Sequence, residues 1–340
     1  MKCIIDTTLI DIKESQILQY DEELLNLLLV DRSSNENIIW ATDNYTDLGP
    51  EYSPQAHITI SSITRDDVQI IQPRVKKSKA VQEYRSKDKA EVFTPSWICN
   101  KQNNLIDNAY FGRIGVFNEE IEGGWISTNK VEFLESENWQ DYIKEKRLEI
   151  TCGEAPYIVS RYDATTGELI APLNRVGILD RKFRVIHENS EQMTFQTWFK
   201  WIQIALQSTY GYEWQGDNLL LARENILLTY IDFYQLKFNG GFPSRKSILD
   251  VANIISWNIW QMDGIKMVIP DTCGEREMII RDDQLSLFDE PEERIEVVPC
   301  PGCKTNNPHT HNGIQCKIMN WYSGYKKDKV GEVFFHTLIS

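Results

Sequence analysis

The segment from Tyr210 to Asn225 constrains the fold more than any other part of this 340-residue chain. Its sequence, YGYEWQGDNLLLAREN, reads as a short strand that ends in an acid, followed by a turn and a helix. In an open α/β sheet, an acid at the end of a strand can accept two hydrogen bonds from the vicinal hydroxyls of a ribose. The segment therefore predicts an α/β sheet with a nucleoside site at Glu213.

Predicted strands and helices alternate from about residue 91 to residue 266, which favours a sheet of parallel strands. The apolar patterns predict strands at Arg147–Thr151, Tyr210–Trp214 and Trp257–Met262. They predict helices at Phe195–Ser208, Asn218–Phe238 and Ser247–Ile255. Before this region, Ser15–Val30 is rich in leucine and reads as one helix.

Bulk composition excludes several classes of protein. No apolar run approaches the roughly 20 residues that span a bilayer, and the N-terminus does not resemble an export signal. We therefore expect a cytoplasmic protein without a membrane partner. The formal net charge of −14 means that any nucleic-acid contact must come from a local basic patch. Residues 74–89 are rich in Lys and Arg, and they read either as a solvated helix face or as a segment that contacts phosphates.

Cysteines and histidines near the C-terminus have the spacing of a zinc site. Two thiolates in a Cys-x-x-Cys turn can hold one tetrahedral ion, with two further ligands from nearby residues. The predicted ligands are Cys300, Cys303, Cys316 and one of the two histidines His309 and His311, with Cys273 as an alternative fourth ligand. The other interpretation is a loop of reduced cysteines or a redox pair.

Four short segments follow one another in the chain: Glu91–Pro95 (EVFTP), Leu148–Tyr157 (LEITCGEAPY), Tyr210–Asn225 and Asn258–Lys266 (NIWQMDGIK). In this order they resemble the motifs of gamma-class adenine-N6 DNA methyltransferases from bacterial restriction–modification systems. The stretch Ala90–Asn100 is also similar to proteins labelled restriction-endonuclease subunit M. The resemblance covers roughly residues 85–266. It implies a Rossmann-like sheet that binds S-adenosylmethionine and DNA.

The resemblance also assigns cofactor contacts to single residues. The methionine end would lie under Phe93, Thr94 and Pro95 and beside Cys152 and Gly153, with Glu149 in place of the family's leading Asp. Glu213 would hold the ribose, Trp214 would stack on the adenine ring, and Asp263 would accept a hydrogen bond from the adenine amino group.

The chain departs from the family pattern in ways that leave simpler interpretations open. Ala155 replaces a glycine and Pro156 follows it, which restricts the turn. Glu213 follows the glycine turn at a much greater distance than the roughly 20 residues of ordinary nucleotide folds. We therefore expect an insertion at 161–190, with a hairpin formed by 175–179 and 183–186. The simpler interpretations are a helix cap at Thr94, a bare turn after the first strand, a surface acid at Glu213 and an Asp-Gly turn at Asp263.

The family's Asn-Pro-Pro-Tyr motif, which binds the target adenine, has no counterpart because the sequence contains no Pro-Pro pair. The expected function is therefore that of an adenine-N6 DNA methyltransferase-like subunit of a restriction–modification or phage-defence system. Its partner would be a restriction endonuclease or a second methyltransferase subunit. The alternatives are an inactive pseudo-methyltransferase that binds DNA or protein, and a zinc-stabilised interaction protein with an unrelated α/β fold.

The domain plan follows these motifs. We expect an N-terminal module at 1–84, a methyltransferase-like α/β domain at 85–270, an acidic mobile loop at 271–297 and a Cys/His-rich segment at 298–340. Within the acidic loop, Gln284–Phe288 (QLSLF) resembles the short motif by which bacterial proteins bind the replication sliding clamp. This segment predicts the clamp as a further partner.

Overall fold

The computed structural model describes residues 5–65, 69–88, 94–281, 293–321 and 330–338. Within these residues the chain forms eleven α-helices and nine strands. The helices are α1 (Glu14–Tyr20), α2 (Glu22–Leu29), α3 (Ile60–Ile63), α4 (Lys79–Asp88), α5 (Ser96–Phe111), α6 (Trp139–Lys144), α7 (Ile178–Glu188), α8 (Phe195–Gln207), α9 (Gly216–Lys237), α10 (Arg245–Asn258) and α11 (Pro301–Thr305). The strands are β1 (Asn118–Ile121), β2 (Gly124–Ser127), β3 (Arg147–Glu149), β4 (Thr209–Glu213), β5 (Ile259–Gln261), β6 (Arg276–Arg281), β7 (Glu293–Val298), β8 (Lys317–Asn320) and β9 (Gly331–Phe334).

A small parallel sheet lies at the centre, with strand order β3-β4-β5. Both pairings are parallel, and Leu148 lies opposite Tyr210 while Tyr212 lies opposite Trp260. The three other sheets are antiparallel pairs, β1-β2, β6-β7 and β8-β9. The fold is therefore mixed α/β, as predicted, and the expected parallel pairing is confirmed.

β3 forms one edge of this sheet, because no described strand pairs with its other side. Leu148 is 43% exposed, and Ile150, which follows the strand, is 64% exposed. Parallel strands are normally buried on both faces, so β3 is unusually open for a strand of this type.

α9 is the central helix, and every residue from Gly216 to Phe233 is buried. A helix that is buried all round needs partners on every side, and α2, α7, α10, β4 and β5 all contact it. The opposite face of the sheet carries Tyr210, Tyr212 and Trp260, since side chains on a strand alternate. These rings pack in a second apolar cluster with Ile318 and Phe335 from the C-terminal segment.

The N-terminal residues pack directly against the sheet. The buried Arg223 of α9 donates hydrogen bonds to the carbonyls of Leu28 and Val30 and to that of Ile259 in β5. The backbone N–H of Gly216 donates to the carbonyl of Trp40. A Cβ at Gly216 would lie 2.1 Å from the Ile39 carbonyl oxygen, so only glycine allows this close approach.

The structure corrects three details of the predicted organisation. The leucine-rich segment is two helices, because Asp21 ends α1 and its side chain caps α2. The hairpin expected at 175–186 is wrong, since this stretch contains α7. The acidic stretch expected as a loop contains β6 and β7 within its described residues.

α7 buries charged residues together with its apolar ones. Arg181 lies 2.5 Å from Asp107, and the Lys182 ammonium donates to the Ser208 hydroxyl at 2.7 Å. These partners compensate the desolvation of both cations. The helical period itself is present in the sequence, because the buried Leu179, Phe183 and Ile186 recur at i, i+4 and i+7.

Candidate functional site

The turn after β3 and the end of β4 meet at the carboxyl edge of the sheet. The backbone N–H of Gly153 donates to Oε2 of Glu213 at 2.8 Å, and the N–H of Gln215 donates to Oε1 at 3.2 Å. Glu213 is only 7% exposed. Two segments that are distant in sequence are thus joined through the carboxylate that was predicted to hold a ribose.

Three residues in the turn after β3 adopt left-handed backbone conformations: Thr151 (φ 48°), Gly153 (φ 55°) and Ala155 (φ 63°). Ala155 stands where the family pattern has glycine, and it adopts the conformation that glycine favours. The positive φ of Thr151 is more unusual than that of Ala155, because a β-branched residue rarely adopts it. Such strain often lies at functional sites.

Replacement of Thr151 by glycine is expected to stabilise the protein. Relief of the left-handed strain should outweigh the added freedom of the unfolded chain, for a gain of about 0.5–1 kcal/mol in the free energy of unfolding. Urea denaturation followed by circular dichroism measures this change. The control is Lys130→Gly, at an exposed position without positive φ, which should destabilise. Equal losses from both changes would contradict the assigned strain.

Two buried carboxyl groups, those of Glu149 and Glu213, share this edge. Burial raises the pKa of the Glu213 carboxyl to about 7, against the lowering effect of the N–H groups of Gly153 and Gln215. Burial also raises the pKa of Glu149 well above its usual range, and the negative charge of Glu213 adds to this. Oε2 of Glu149 is buried without a hydrogen-bond partner among the described residues. The edge thus holds one buried carboxyl oxygen whose hydrogen-bonding capacity a ligand would satisfy.

The Thr94–Pro95 segment also reaches this turn. Burial raises the pKa of the Tyr157 hydroxyl, and an interaction with the Thr94 side chain partly opposes this rise. Pro95 is the residue that precedes α5, where it fits a helix start. Phe93, the third residue predicted in this segment, lies outside the described residues.

Trp214 and Asp263 have partners within the protein. The Trp214 indole N–H donates to the carbonyl of Ala41 at 3.0 Å, and its ring packs against the second apolar cluster. Oδ1 of Asp263 accepts from the N–H groups of Ile265 and Lys266 at 2.9 and 3.0 Å. Asp263 follows β5, the strand that pairs with β4. Its carboxylate stabilises its own turn, as in an ordinary Asp-Gly turn.

The basic segment 74–89 pairs with acids of the same chain in its described part. Arg85 is 2% exposed, and its guanidinium lies 2.7 Å from Oδ2 of the buried Asp217 at the start of α9. Lys76 lies 3.4 Å from Asp11. These two cations therefore pair with acidic groups of the same chain. They form neither of the two predicted structures, a solvated helix face or a phosphate contact.

A second candidate site contains three cysteines and a histidine whose ligand atoms all lie within 4.8 Å of one another: Cys273, Cys300, Cys303 and His311. Sγ of Cys273 is 3.2 Å from Sγ of Cys300 and 3.5 Å from Sγ of Cys303. Nδ1 of His311 is 3.2, 3.5 and 3.7 Å from the three sulfurs. A tetrahedral zinc ion with Zn–S bonds of about 2.3 Å places its sulfurs ~3.7 Å apart. The cluster could therefore hold a metal ion of this kind.

Backbone groups beside the cluster fix the positions of Cys300 and His311. The N–H of Asn312 donates to Sγ of Cys300 at 3.3 Å, as backbone groups commonly do to metal-bound thiolates. A Cβ at Gly302 would lie 2.5 Å from the His311 ring, so the turn between Cys300 and Cys303 requires glycine.

Two of the predicted ligands lie outside this cluster. Cys316 is fully buried, and its thiol donates to the Gln261 carbonyl at 3.4 Å in the second apolar cluster. The His309 ring stacks edge-on against His336 at 5.2 Å. Cys273, predicted only as an alternative, takes the fourth position, because the β6-β7 pairing places Arg276 opposite Val298 and returns the chain to Cys300.

The comparisons with known proteins add no identity, since no protein-family model, curated protein or solved structure matches the chain. Among the described helices, none has both the length and the apolar character needed to cross a bilayer. The Gln284–Phe288 segment lies outside the described residues, so its sliding-clamp interaction stays a prediction.

Proposed function

We propose that this chain is an S-adenosylmethionine-binding, adenine-N6 DNA methyltransferase-like subunit of a bacterial restriction–modification or phage-defence system. The observation that carries the proposal is the bond between Gly153 and Glu213 at the carboxyl edge of a parallel sheet. In doubly wound folds, nucleotides bind at this edge, beside the turn after the first strand. The order β3-β4-β5 also matches one half of such a fold, whose first three strands are neighbours.

Each group in the site has a role in this proposal. Glu213, as a carboxylate, would accept hydrogen bonds from both ribose hydroxyls, and the turn at Cys152 and Gly153 would lie beside the methionine end. The tie between Thr94 and Tyr157 would hold the covering segment against that turn. Transfer of a methyl group from sulfur to an amine depends mainly on alignment, so these residues would contribute by position.

The cluster of Cys273, Cys300, Cys303 and His311 is proposed to bind structural zinc. Four protein ligands leave no open position for a substrate, which is the property of structural rather than catalytic sites. The ion would stabilise the C-terminal segment, whose β8 and Phe335 pack on the sheet. We further propose that the chain binds DNA and a partner subunit, and that the partner supplies the missing adenine-binding motif.

A pseudo-methyltransferase that binds DNA or protein is the second candidate. Ala155 is fully buried where the family has glycine, and both oxygens of Glu213 are bonded to backbone N–H groups of the chain. Both features reduce the room and the free acceptors for a cofactor. Methylation of adenine in DNA by this chain alone would exclude this candidate, whereas activity that appears only with a second subunit supports a split enzyme.

Calorimetric titration with S-adenosylmethionine tests the leading proposal. We expect binding, and we expect Glu213→Gln to weaken it by about 10- to 100-fold because hydrogen bonds to a charged group are lost. The affinity of the parent chain should rise from pH 6 to pH 8, since the pKa of Glu213 is near 7 and the carboxylate form accepts both hydroxyls. The affinity of Glu213→Gln should vary less over this range.

Glu191→Gln is the matched control, at an exposed carboxylate in the turn before α8. It should bind like the parent chain at each pH. Absence of binding at millimolar S-adenosylmethionine would reject the methyltransferase proposal and leave the interaction-protein alternatives.

A further inference from the structure

A cavity of about 760 Å³ lies beside Pro95. Three parts of the chain form its walls: the first turn of α5, the β1-β2 hairpin and the loop 163–174. Its volume is within the range of small-molecule pockets, and it is open to solvent on one side. We call it the tryptophan cavity, after Trp97 and Trp125 in two of its walls.

The walls of the tryptophan cavity are anchored independently of any ligand. The Trp125 indole N–H donates to the carbonyl of Asn174 at 2.8 Å, which ties the hairpin to the loop. The N–H of Ser96 donates to Oδ2 of Asp163 at 2.7 Å, which ties α5 to the same loop. Trp97 is 39% exposed although it is large and apolar. The cavity is therefore preorganised, with aromatic surface accessible on two walls.

The polar groups of the cavity suit a neutral planar ring with amino groups. Oδ1 of Asp163 accepts from Thr165 and from the N–H of Thr166, so the carboxylate offers a ligand only the second lone pair of Oδ2, which accepts from the N–H of Ser96. The exposed side-chain amide of Asn174 can both donate and accept, as amides do at the edge of adenine. Glu168 is exposed at the rim, so a phosphate would be repelled from the interior.

An exposed cation, Lys101, lies on the same helix as Trp97. Lys101 is exposed and follows Trp97 by one helical turn, so both side chains project from the same face of α5. Lys101 has no salt bridge within the described part of the chain. An aromatic ring beside such a cation is the arrangement by which proteins bind single strands without reading their sequence.

We propose that the tryptophan cavity binds one unstacked nucleobase of single-stranded DNA, with Trp97 or Trp125 against its face and Lys101 on the adjoining phosphate. This inference rests on the proposed function, because it supplies an aromatic site for an extruded base in a chain that lacks the family's own motif. Adenine and cytosine fit better than thymine, since their amino groups can donate to Asp163.

Fluorescence titration of the full chain with a short single-stranded oligodeoxynucleotide that carries one 2-aminopurine tests the proposal. All other positions of the oligonucleotide are thymine, the base that fits least well. Stacking on tryptophan should quench the probe, and the same strand with an abasic site in that position should bind roughly tenfold or more weakly. Trp97→Ala and Trp125→Ala should each weaken binding by a similar factor. Leu105→Ala, at another exposed position of α5, is the control and should bind like the parent chain.

Lys101→Ala provides an independent readout, because loss of one phosphate contact should reduce the slope of log affinity against log salt by about one while quenching persists. Equal affinity for the abasic and base-containing strands would overturn the proposal without any variant. Calorimetry with S-adenosylmethionine on the same sample separates the two hypotheses. Cofactor binding without quenching rejects only the nucleobase site, and quenching without cofactor binding rejects only the methyltransferase.

Discussion

Replacement of Cys300 by serine is expected to abolish stoichiometric zinc binding and to unfold the C-terminal segment around the cluster. Cys300 is 2% exposed and contributes a sulfur that lies within 3.5 Å of two other ligand atoms. Structural zinc sites in isolated fingers contribute about 10–16 kcal/mol, so loss of one of four ligands removes most of the local stability. Elemental analysis of the purified chain measures the zinc, and hydrogen exchange over residues 298–321 measures the loss of structure.

Two variants distinguish this cluster from the ligand set that the sequence favours. His309→Ala removes a histidine that stacks on His336, and Cys316→Ser removes a thiol buried in the second apolar cluster. Both should retain one zinc ion per chain, although Cys316→Ser should lower the melting temperature. Zinc that persists in Cys300→Ser, or disappears in His309→Ala, would show that the ligand set is different.

Replacement of Arg223 by alanine is expected to destabilise the whole protein by about 3–5 kcal/mol. Arg223 is fully buried and donates to the carbonyls of Leu28, Val30 and Ile259. Its removal leaves these acceptors buried without donors, and each such group costs about 1–3 kcal/mol. Because domains of this kind have only about 5–15 kcal/mol of net stability, a single urea transition at much lower denaturant concentration should be visible by circular dichroism.

Arg245→Ala is the matched control, since Arg245 is also a helical arginine but pairs with two acids, Asp21 and Glu23, instead of carbonyls. Its side chain is 52% exposed, and exposed ion pairs contribute about 0–1 kcal/mol. Arg223→Lys should not restore stability, because an ammonium cannot match the separate directions of the three carbonyls. Similar losses from Arg223→Ala and Arg245→Ala would contradict the role assigned to the buried residue.

The central strands and helices were predictable because their patterns are strong and local. β4 and α9 follow from the apolar stretch around Tyr210 and the long apolar helix after it, and the structure places them at Thr209–Glu213 and Gly216–Lys237. The helical period of α7 is also local, but the burial of its charged residues was not predictable. Its buried cations Arg181 and Lys182 depend on partners at Asp107 and Ser208, which no local pattern indicates.

The same contrast between local and long-range determinants applies to the two candidate sites. The approach of Gly153 to Glu213 follows from their positions at the ends of neighbouring strands, which sequence alone can suggest. The fourth ligand of the metal cluster could not be predicted from sequence, because Cys273 reaches Cys300 only through the antiparallel pairing of β6 with β7. Spacing along the chain instead favoured Cys316, which packs against the sheet.

The bonds from Arg223 to Leu28 and Val30 also bear on how the protein is made. The backbone N–H of Ile39 donates to Oε1 of Gln261, which lies 222 residues later. During synthesis, the buried contacts of the N-terminal helices therefore form only after most of the chain has emerged from the ribosome. Until then their leucine-rich surface stays exposed, and exposed apolar surface favours aggregation.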